Sequence, residues 1–182
     1  MAFHHVSVMP EEVLDGLLTD PDGIYVDCTL GGAGHAGRLA EKLSAKGWLI
    51  GIDQDAEAIK AAQAHLDSLS LRCRVSVVHS NFSKLDEIFA RLAVPKITGI
   101  LFDLGVSSYQ IDTAARGFSY MQDAPLDMRM DAEERQTAAD VVNTYSAADL
   151  DRIFHDYGEE RWGRRIAEFI VKRRAETAYE TT

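Results

Sequence analysis

Asp27-Cys28-Thr29-Leu30-Gly31-Gly32-Ala33-Gly34-His35-Ala36-Gly37 decides the fold of this chain. Ile24-Tyr25-Val26-Asp27-Cys28 reads as a short strand leading into the glycines, and a helix follows to about Ser44. A strand that ends on an acid, then a glycine cluster, then a helix lets the backbone approach a ligand closely. Nineteen residues after Gly34, a second apolar segment, Trp48-Leu49-Ile50-Gly51-Ile52, ends on Asp53. A carboxylate at that point can accept hydrogen bonds from both ribose hydroxyls of an adenosine-bearing cofactor. Alone, each half reads as a tight turn or a strand-end acid; in register they predict an adenosine site between Gly31 and Asp53.

The pattern repeats outward from this core. Pro10, Glu11 and Glu12 suit the first turn of an opening helix with an apolar stripe at Val13, Leu14, Leu17 and Leu18. Asp20-Pro21-Asp22-Gly23 is a turn. Gly47 is placed to stop the helix after the glycine cluster, and Asp55 to cap a helix running to about Leu69. Arg74–His79 is a third strand. Ser83 and Asp86 have capping-box spacing ahead of a helix over 84–92. Ile97 through Leu104 reads as a fourth strand, apolar enough to be buried on both faces. This βαβαβαβ order predicts a parallel sheet with right-handed crossovers. Residues 105–136 are loop-like, and helices are expected over 137–145, 147–157 (capped by Ser146) and 159–175. The expected division is a cofactor-binding half at 1–110 and a helical unit at 111–182.

Composition narrows the function classes. With 182 residues and 46% apolar content, the chain suits one soluble domain with a smaller appendage. The N-terminus lacks the pattern of a secretory signal, and no apolar run is long enough to span a bilayer. Two cysteines, Cys28 and Cys73, fit a reducing cytoplasm rather than a disulfide framework. No paired-Cys or His-Glu-x-x-His spacing is present, so no metal site is expected. The net charge of −10 weighs against nucleic acid, yet Arg161, Arg164, Arg165, Lys172, Arg173 and Arg174 crowd one end. That cluster is either a solvated helix face or a phosphate-binding patch.

Gly32-x-Gly34-x-x-Gly37 formally matches a dinucleotide fingerprint, which admits NAD. Three features favour S-adenosylmethionine (SAM). Asp27 stands just ahead of the glycines; Cys28–Leu30 lengthen the loop beyond what a pyrophosphate turn needs; and Ser80-Asn81-Phe82 follows the third strand, where an aromatic can lie against adenine. Phe82 fits core packing equally well. Asp103 ends the fourth strand, at the carboxyl end where open α/β sheets bind ligands. It is either a turn former before Gly105 or the group facing the transferred methyl. An acid there would assist an exocyclic amine, whose lone pair is delocalised into its ring, by accepting its N–H; in-line positioning supplies much of the remainder.

The same segments resemble the MraW/RsmH family of methyltransferases, which modify N4 of a cytidine in 16S ribosomal RNA of the bacterial small subunit. The resemblance rests on His5-x-Ser7-Val8 with Glu12-Val13-Leu14, Asp27–His35, Gly51-Ile52-Asp53-Gln54-Asp55, Phe102-Asp103-Leu104-Gly105-Val106-Ser107-Ser108, Arg116-Gly117-Phe118-Ser119, Pro125-Leu126-Asp127-Met128-Arg129-Met130-Asp131 and Tyr157-Gly158-Glu159-Glu160-Arg161. It covers nearly the whole chain. It implies a class I SAM-dependent methyltransferase fold: a Rossmann-like α/β parallel sheet, here incomplete, with a helical insertion domain. It implies SAM contacts at Ala33, Gly34, His35, Asp53, Phe82, Asp103 and Gln110, with Gly31 and Gly32 in the same loop and Asp103 as the catalytic acid. RNA contacts are implied at Arg116, Arg129, Arg161, Arg164 and Arg165, Arg129 serving equally well as a salt-bridge partner. Tyr109 departs from the family, which usually has proline there. Family members also continue past the position of Thr182 to complete the sheet. The fourth strand is therefore expected to expose an edge, which favours self-association into a homodimer. A SAM-binding fragment or paralogue without catalysis is the alternative function; an NAD-linked oxidoreductase is the remote one.

Overall fold

The computed structural model describes residues 7–182, so His5 of the first matching segment lies outside the described residues. Strands β1 (Ile24–Asp27), β2 (Trp48–Asp53), β3 (Arg74–His79) and β4 (Gly99–Leu101) form one parallel sheet in the order β3-β2-β1-β4. The chain steps outward from β1 through β2 to β3, then crosses back to the other side of β1. The strand order reverses between β1 and β4, and the carboxyl ends at such a switch point are where α/β sheets hold ligands.

Alternation along the strands separates two apolar layers. Tyr25 and Leu49 point to the face covered by helices α1 (Pro10–Leu17), α2 (Gly34–Lys42) and α3 (Ala56–Ser68), where Ala36, Leu39, Ala62 and Leu66 meet them. Val26, Ile50, Ile52 and Val78 point to the opposite face, against Ile88 and its neighbours on α4 (Leu85–Leu92). β1 and β2 are buried almost throughout. The buried Tyr25 hydroxyl accepts from the Thr19 and Asp20 amides and donates to the Asp20 carbonyl, so its polar tip is satisfied by the preceding turn. Asp55 caps α3 as its position predicts, accepting from the Glu57 amide at 3.0 Å.

Several expectations need correction. β4 covers only Gly99–Leu101 and is half-buried, because it has β1 on one side and no partner strand among the described residues on the other. Phe102 and Leu104, read as buried strand residues, lie in an exposed loop. Asn81, not Ser83, supplies the cap near α4: its side chain accepts from the Ser83 amide and starts a 3₁₀ turn over Phe82–Lys84. α2 ends at Lys42, short of Gly47, whose missing side chain instead leaves room for the Pro21 carbonyl.

The chain divides into two compact units, the first ending at Ser107 and the second covering Ser108–Thr182. The division falls a few residues ahead of the expected boundary and puts Gln110 in the second unit. That unit is helical, but its first part is not all loop. It holds α5 (Ser108–Asp112), a 3₁₀ turn at Ala114–Arg116, α6 (Ala138–Thr144), α7 (Ala147–Asp156) and α8 (Gly163–Arg174). Thr137 and Asp140 form a capping box on α6, and Ser146 caps α7. α8 begins at Gly163 rather than 159. Glu159 takes a left-handed conformation, and the Glu160 side chain accepts from the Trp162 amide, so Tyr157–Trp162 is a turn. α7 and α8 pack through Leu150, Gly163 and Ala167, all buried.

Candidate functional site

The loop after β1 is folded down onto the end of β2. The Leu30 amide bonds the Ile52 carbonyl at 3.0 Å, and the Gly31 amide bonds Oδ2 of Asp53 at 2.8 Å. Leu30 is buried beneath the loop, and Gly51 makes this fit: a Cβ on Gly51 would lie 2.6 Å from Leu30 Cδ1. Gly31 adopts φ +50°, which glycine takes without strain. Ala33 also sits in the left-handed region, at φ 61°, where glycine would be the unstrained choice. It holds that conformation while fully buried, and its carbonyl accepts from the Gly37 amide in the first turn of α2. Gly34 packs against Ser7, whose Oγ occupies the place a side chain would need.

Three carboxylates converge around the carboxyl ends of β1, β2 and β4. Asp27 is buried, with Oδ1 accepting from the Thr29 amide at 3.0 Å and the Thr29 hydroxyl at 3.4 Å. Burial pushes its carboxyl up to about 6, against those hydrogen bonds, and the nearby Asp53 and Asp103 charges push the same way. Asp53 Oδ1 accepts from the Asp55 amide at 2.9 Å while Oδ2 holds Gly31. Burial also holds the Asp53 carboxyl above the usual carboxylate range. Backbone amides of Gly31, Gln54 and Asp55 all bond this carboxylate and work against that burial. Asp103 lies just past the end of β4, two residues beyond Leu101, rather than within the strand. Its amide donates to the Thr29 hydroxyl at 2.7 Å, and its Oδ2 lies 3.7 Å from Nε2 of His35.

Phe82 sits in the 3₁₀ turn after β3, edge-to-face with Phe102 at a centroid distance of 5.5 Å. It is packed on the α4-side core with part of its surface open. Gln54, which sequence reading passed over, links the ends of β2 and β3. Its carbonyl is 3.0 Å from His79 Nε2, and its Oε1 accepts from the Asn81 amide group. Its place directly after a strand-end acid was the available signal. Thr29 was quoted in the glycine-loop motif without a role.

The candidate residues of the second unit fall into two groups. Arg129 makes a two-pronged bond to Asp127, Nε to Oδ1 at 2.9 Å and Nη2 to Oδ2 at 2.7 Å. Its Nη1 donates to the Ala132 and Glu134 carbonyls. Arg116 donates through Nη2 to the Arg129 and Met130 carbonyls, both at 2.9 Å. These guanidinium groups hold the 116–134 segment together, which gives Arg129 the salt-bridge role. Arg161, Arg164 and Arg165 are exposed, Arg164 pairing with Glu168 one helical turn on. Gln110 is buried within α5.

A parallel sheet in the order β3-β2-β1-β4, a glycine loop clamped to a strand-end acid and a third acid after β4 define a class I methyltransferase fold. The family model described as the MraW methylase family matches residues 2–182, and the chain belongs to that family. It is 55% identical over 182 residues to a protein named "Ribosomal RNA small subunit methyltransferase H" from Clostridium botulinum (strain Loch Maree / Type A3), covering all of this chain and 58% of that one. Proteins of the same name from Clostridioides difficile (strain 630) and Geotalea uraniireducens (strain Rf4) are each 54% identical, over 100% and 99% of this chain and 58% and 57% of theirs. The chain thus spans somewhat more than half the length of these relatives. A solved structure titled as a SAM-dependent methyltransferase from Aquifex aeolicus aligns over 82% of this chain and 79% of its own, with a TM-score of 0.40 and 18% identity. That likeness is too remote to bear on the site. Membership of a methylase family removes the support for the NAD reading of the glycine spacing.

Proposed function

We propose that this chain holds SAM over the carboxyl ends of β1, β2 and β4 and serves methyl transfer to N4 of a cytidine in 16S ribosomal RNA of the small subunit. The observation that carries this reading is the excess of negative charge at the switch point. Asp27, Asp53 and Asp103 meet there, two of them destabilised as anions by burial. A ligand bearing positive charge relieves that repulsion, and SAM is such a ligand where the neutral adenosine nucleosides are not. The residues fit the group: Asp53 ends β2 where it can accept from ribose, and the part-exposed Gly31 and Gly32 offer a backbone that a ligand can approach closely. Phe82 presents an aromatic edge for adenine.

When bound, SAM supplies an electrophilic methyl carbon on a positively charged sulfur. Asp103 accepts a hydrogen bond from the exocyclic N–H of the cytidine, which localises the nitrogen lone pair for attack. With the amine methylated, the Asp103 carboxylate would take the proton the nitrogen releases. The Asp103 loop orients the amine in line, which reduces the chemistry required of any side chain. Arg161, Arg164 and Arg165 are an exposed basic surface suited to RNA phosphates; Arg116 and Arg129 are engaged within their own unit. A cytoplasmic setting follows from a ribosomal substrate, and no described helix is long and apolar enough to cross a membrane.

The alternative reading is SAM binding without turnover. Methyl transfer from labelled SAM to purified small subunits lacking the modification separates the two. Label on N4 of a cytidine supports the enzyme. Binding of SAM by a folded chain that transfers nothing supports the second reading.

A further inference from the structure

The last shared backbone bond between β1 and β4 runs from the Cys28 amide to the Leu101 carbonyl, at 2.9 Å. Beyond it β4 stops, and the exposed loop carrying Asp103 begins. The next step of the ladder is made by a side chain. Thr29 Oγ1 accepts from the Asp103 amide at 2.7 Å, and the same hydroxyl faces Asp27 Oδ1 at 3.4 Å. The Thr29 amide donates to that same Asp27 oxygen at 3.0 Å, which fixes the start of the cofactor loop.

We propose that Thr29 is a positioning residue that sets Asp103 against the cofactor loop, replacing the missing strand pairing with one hydroxyl. The hydroxyl suits the task because it can do two things at once. Its lone pair receives the Asp103 N–H, and its single proton is directed to the Asp27 carboxylate. Asp27 is buried and anchored in β1, so the chain Asp27–Thr29–Asp103 ties the exposed loop to a buried inner strand of the sheet. His35, 3.7 Å from Oδ2, then faces an acid whose backbone is already held. Threonine also restricts its own side-chain torsion, which keeps the oxygen aimed at one point.

This inference rests on the proposed SAM site, and the test keeps the two apart. Thr29→Val preserves shape and removes the hydroxyl; Thr29→Ser retains it. Hydrogen exchange at the Asp103 amide is expected to quicken at least tenfold in T29V and to stay within about threefold of the parent in T29S. SAM affinity, read by calorimetry, is expected to fall about fivefold or more in T29V and to recover in T29S. In an Asp103→Ala background T29V is expected to cost no further affinity, since it acts through Asp103. Unchanged exchange at Asp103 in T29V overturns the inference whatever SAM does. So does an equal loss of affinity with and without the Asp103 side chain, which would make Thr29 a contact in its own right. If the parent binds no SAM, the proposed function fails, while the exchange measurement still decides the role of Thr29.

Discussion

Asp53 and Asp127 are both aspartates that fix a loop, and their surroundings push them in opposite directions. Asp53 is held by the backbone amides of Gly31, Gln54 and Asp55 at the end of a buried strand, and burial raises its carboxyl. Asp127 is held by the Arg129 guanidinium, whose hydrogen bonds lower its carboxyl. In the second unit the charge is neutralised within the structure. In the first unit Asp27, Asp53 and Asp103 are left with a surplus of negative charge. The paired acid builds a loop, whereas the acids of the first unit are the basis of the proposed cofactor site.

The contrast can be broken from either side. The largest stability effect is expected from Arg129→Ala, which strands Asp127 and frees the Ala132 and Glu134 carbonyls. The unfolding midpoint of the second unit should fall by roughly 5–10 °C, measured by calorimetric melting, while SAM affinity stays at the parent value. Loss of SAM binding with no change in melting would reverse the roles of the two regions.

Asp27→Asn should act in the opposite sense on stability. The folded carboxyl is raised to about 6, so the buried anion costs stability that grows as pH rises from about 4 to 6 and then stays constant. Removing it should stabilise the ligand-free chain by about 1–3 kcal/mol at pH 7.5 and by little at pH 4, read from urea unfolding at both. SAM affinity should fall in the same variant. A variant equally stable at both pH values would mean that Asp27 carries no penalty.

Asp127 has the reverse pH signature. Its folded value is depressed, so its contribution is present above the ordinary carboxylate value, about 4, and is lost as pH falls through the lower folded value. Acid melting of the second unit should steepen below about pH 4, and Asp127→Asn should flatten that limb. The smallest effect on stability is expected from replacing Arg161, Arg164 and Arg165 together by alanine. Melting should stay unchanged, while binding to small subunits weakens and loses part of its salt dependence. Unaltered binding would remove this patch from the RNA contacts.

Much of the first unit was legible because β1, β2 and β3 are apolar runs bounded by turn residues; β2 and β3 came out with the bounds read, and β1 ends at Asp27, one residue short of Cys28. β4 did not, because its apolar run reports hydrophobicity and not whether a neighbouring strand exists to bury it. Phe102 and Leu104 are as apolar as Ile100, yet they lie beyond the last pairing with β1. The acids were legible because each stands at or just past the end of a strand. Thr29, Gln54 and Asn81 were not, since their bonds join different strands and depend on which ends lie side by side. Nor could the sequence separate the inward arginines 116 and 129 from the outward 161, 164 and 165. A basic residue in a polar loop looks the same in sequence whether it faces carbonyls or water.

Calorimetric titration of SAM into the parent chain and into Asp53→Ala tests most directly whether the surplus of acids is a cofactor site. Saturable binding at one site is expected for the parent, weakened in the variant by about 1–3 kcal/mol, roughly five- to 150-fold, through lost charged hydrogen bonds to ribose. A folded parent chain that takes up no SAM, or an Asp53→Ala variant that binds it equally well, would contradict the assignment.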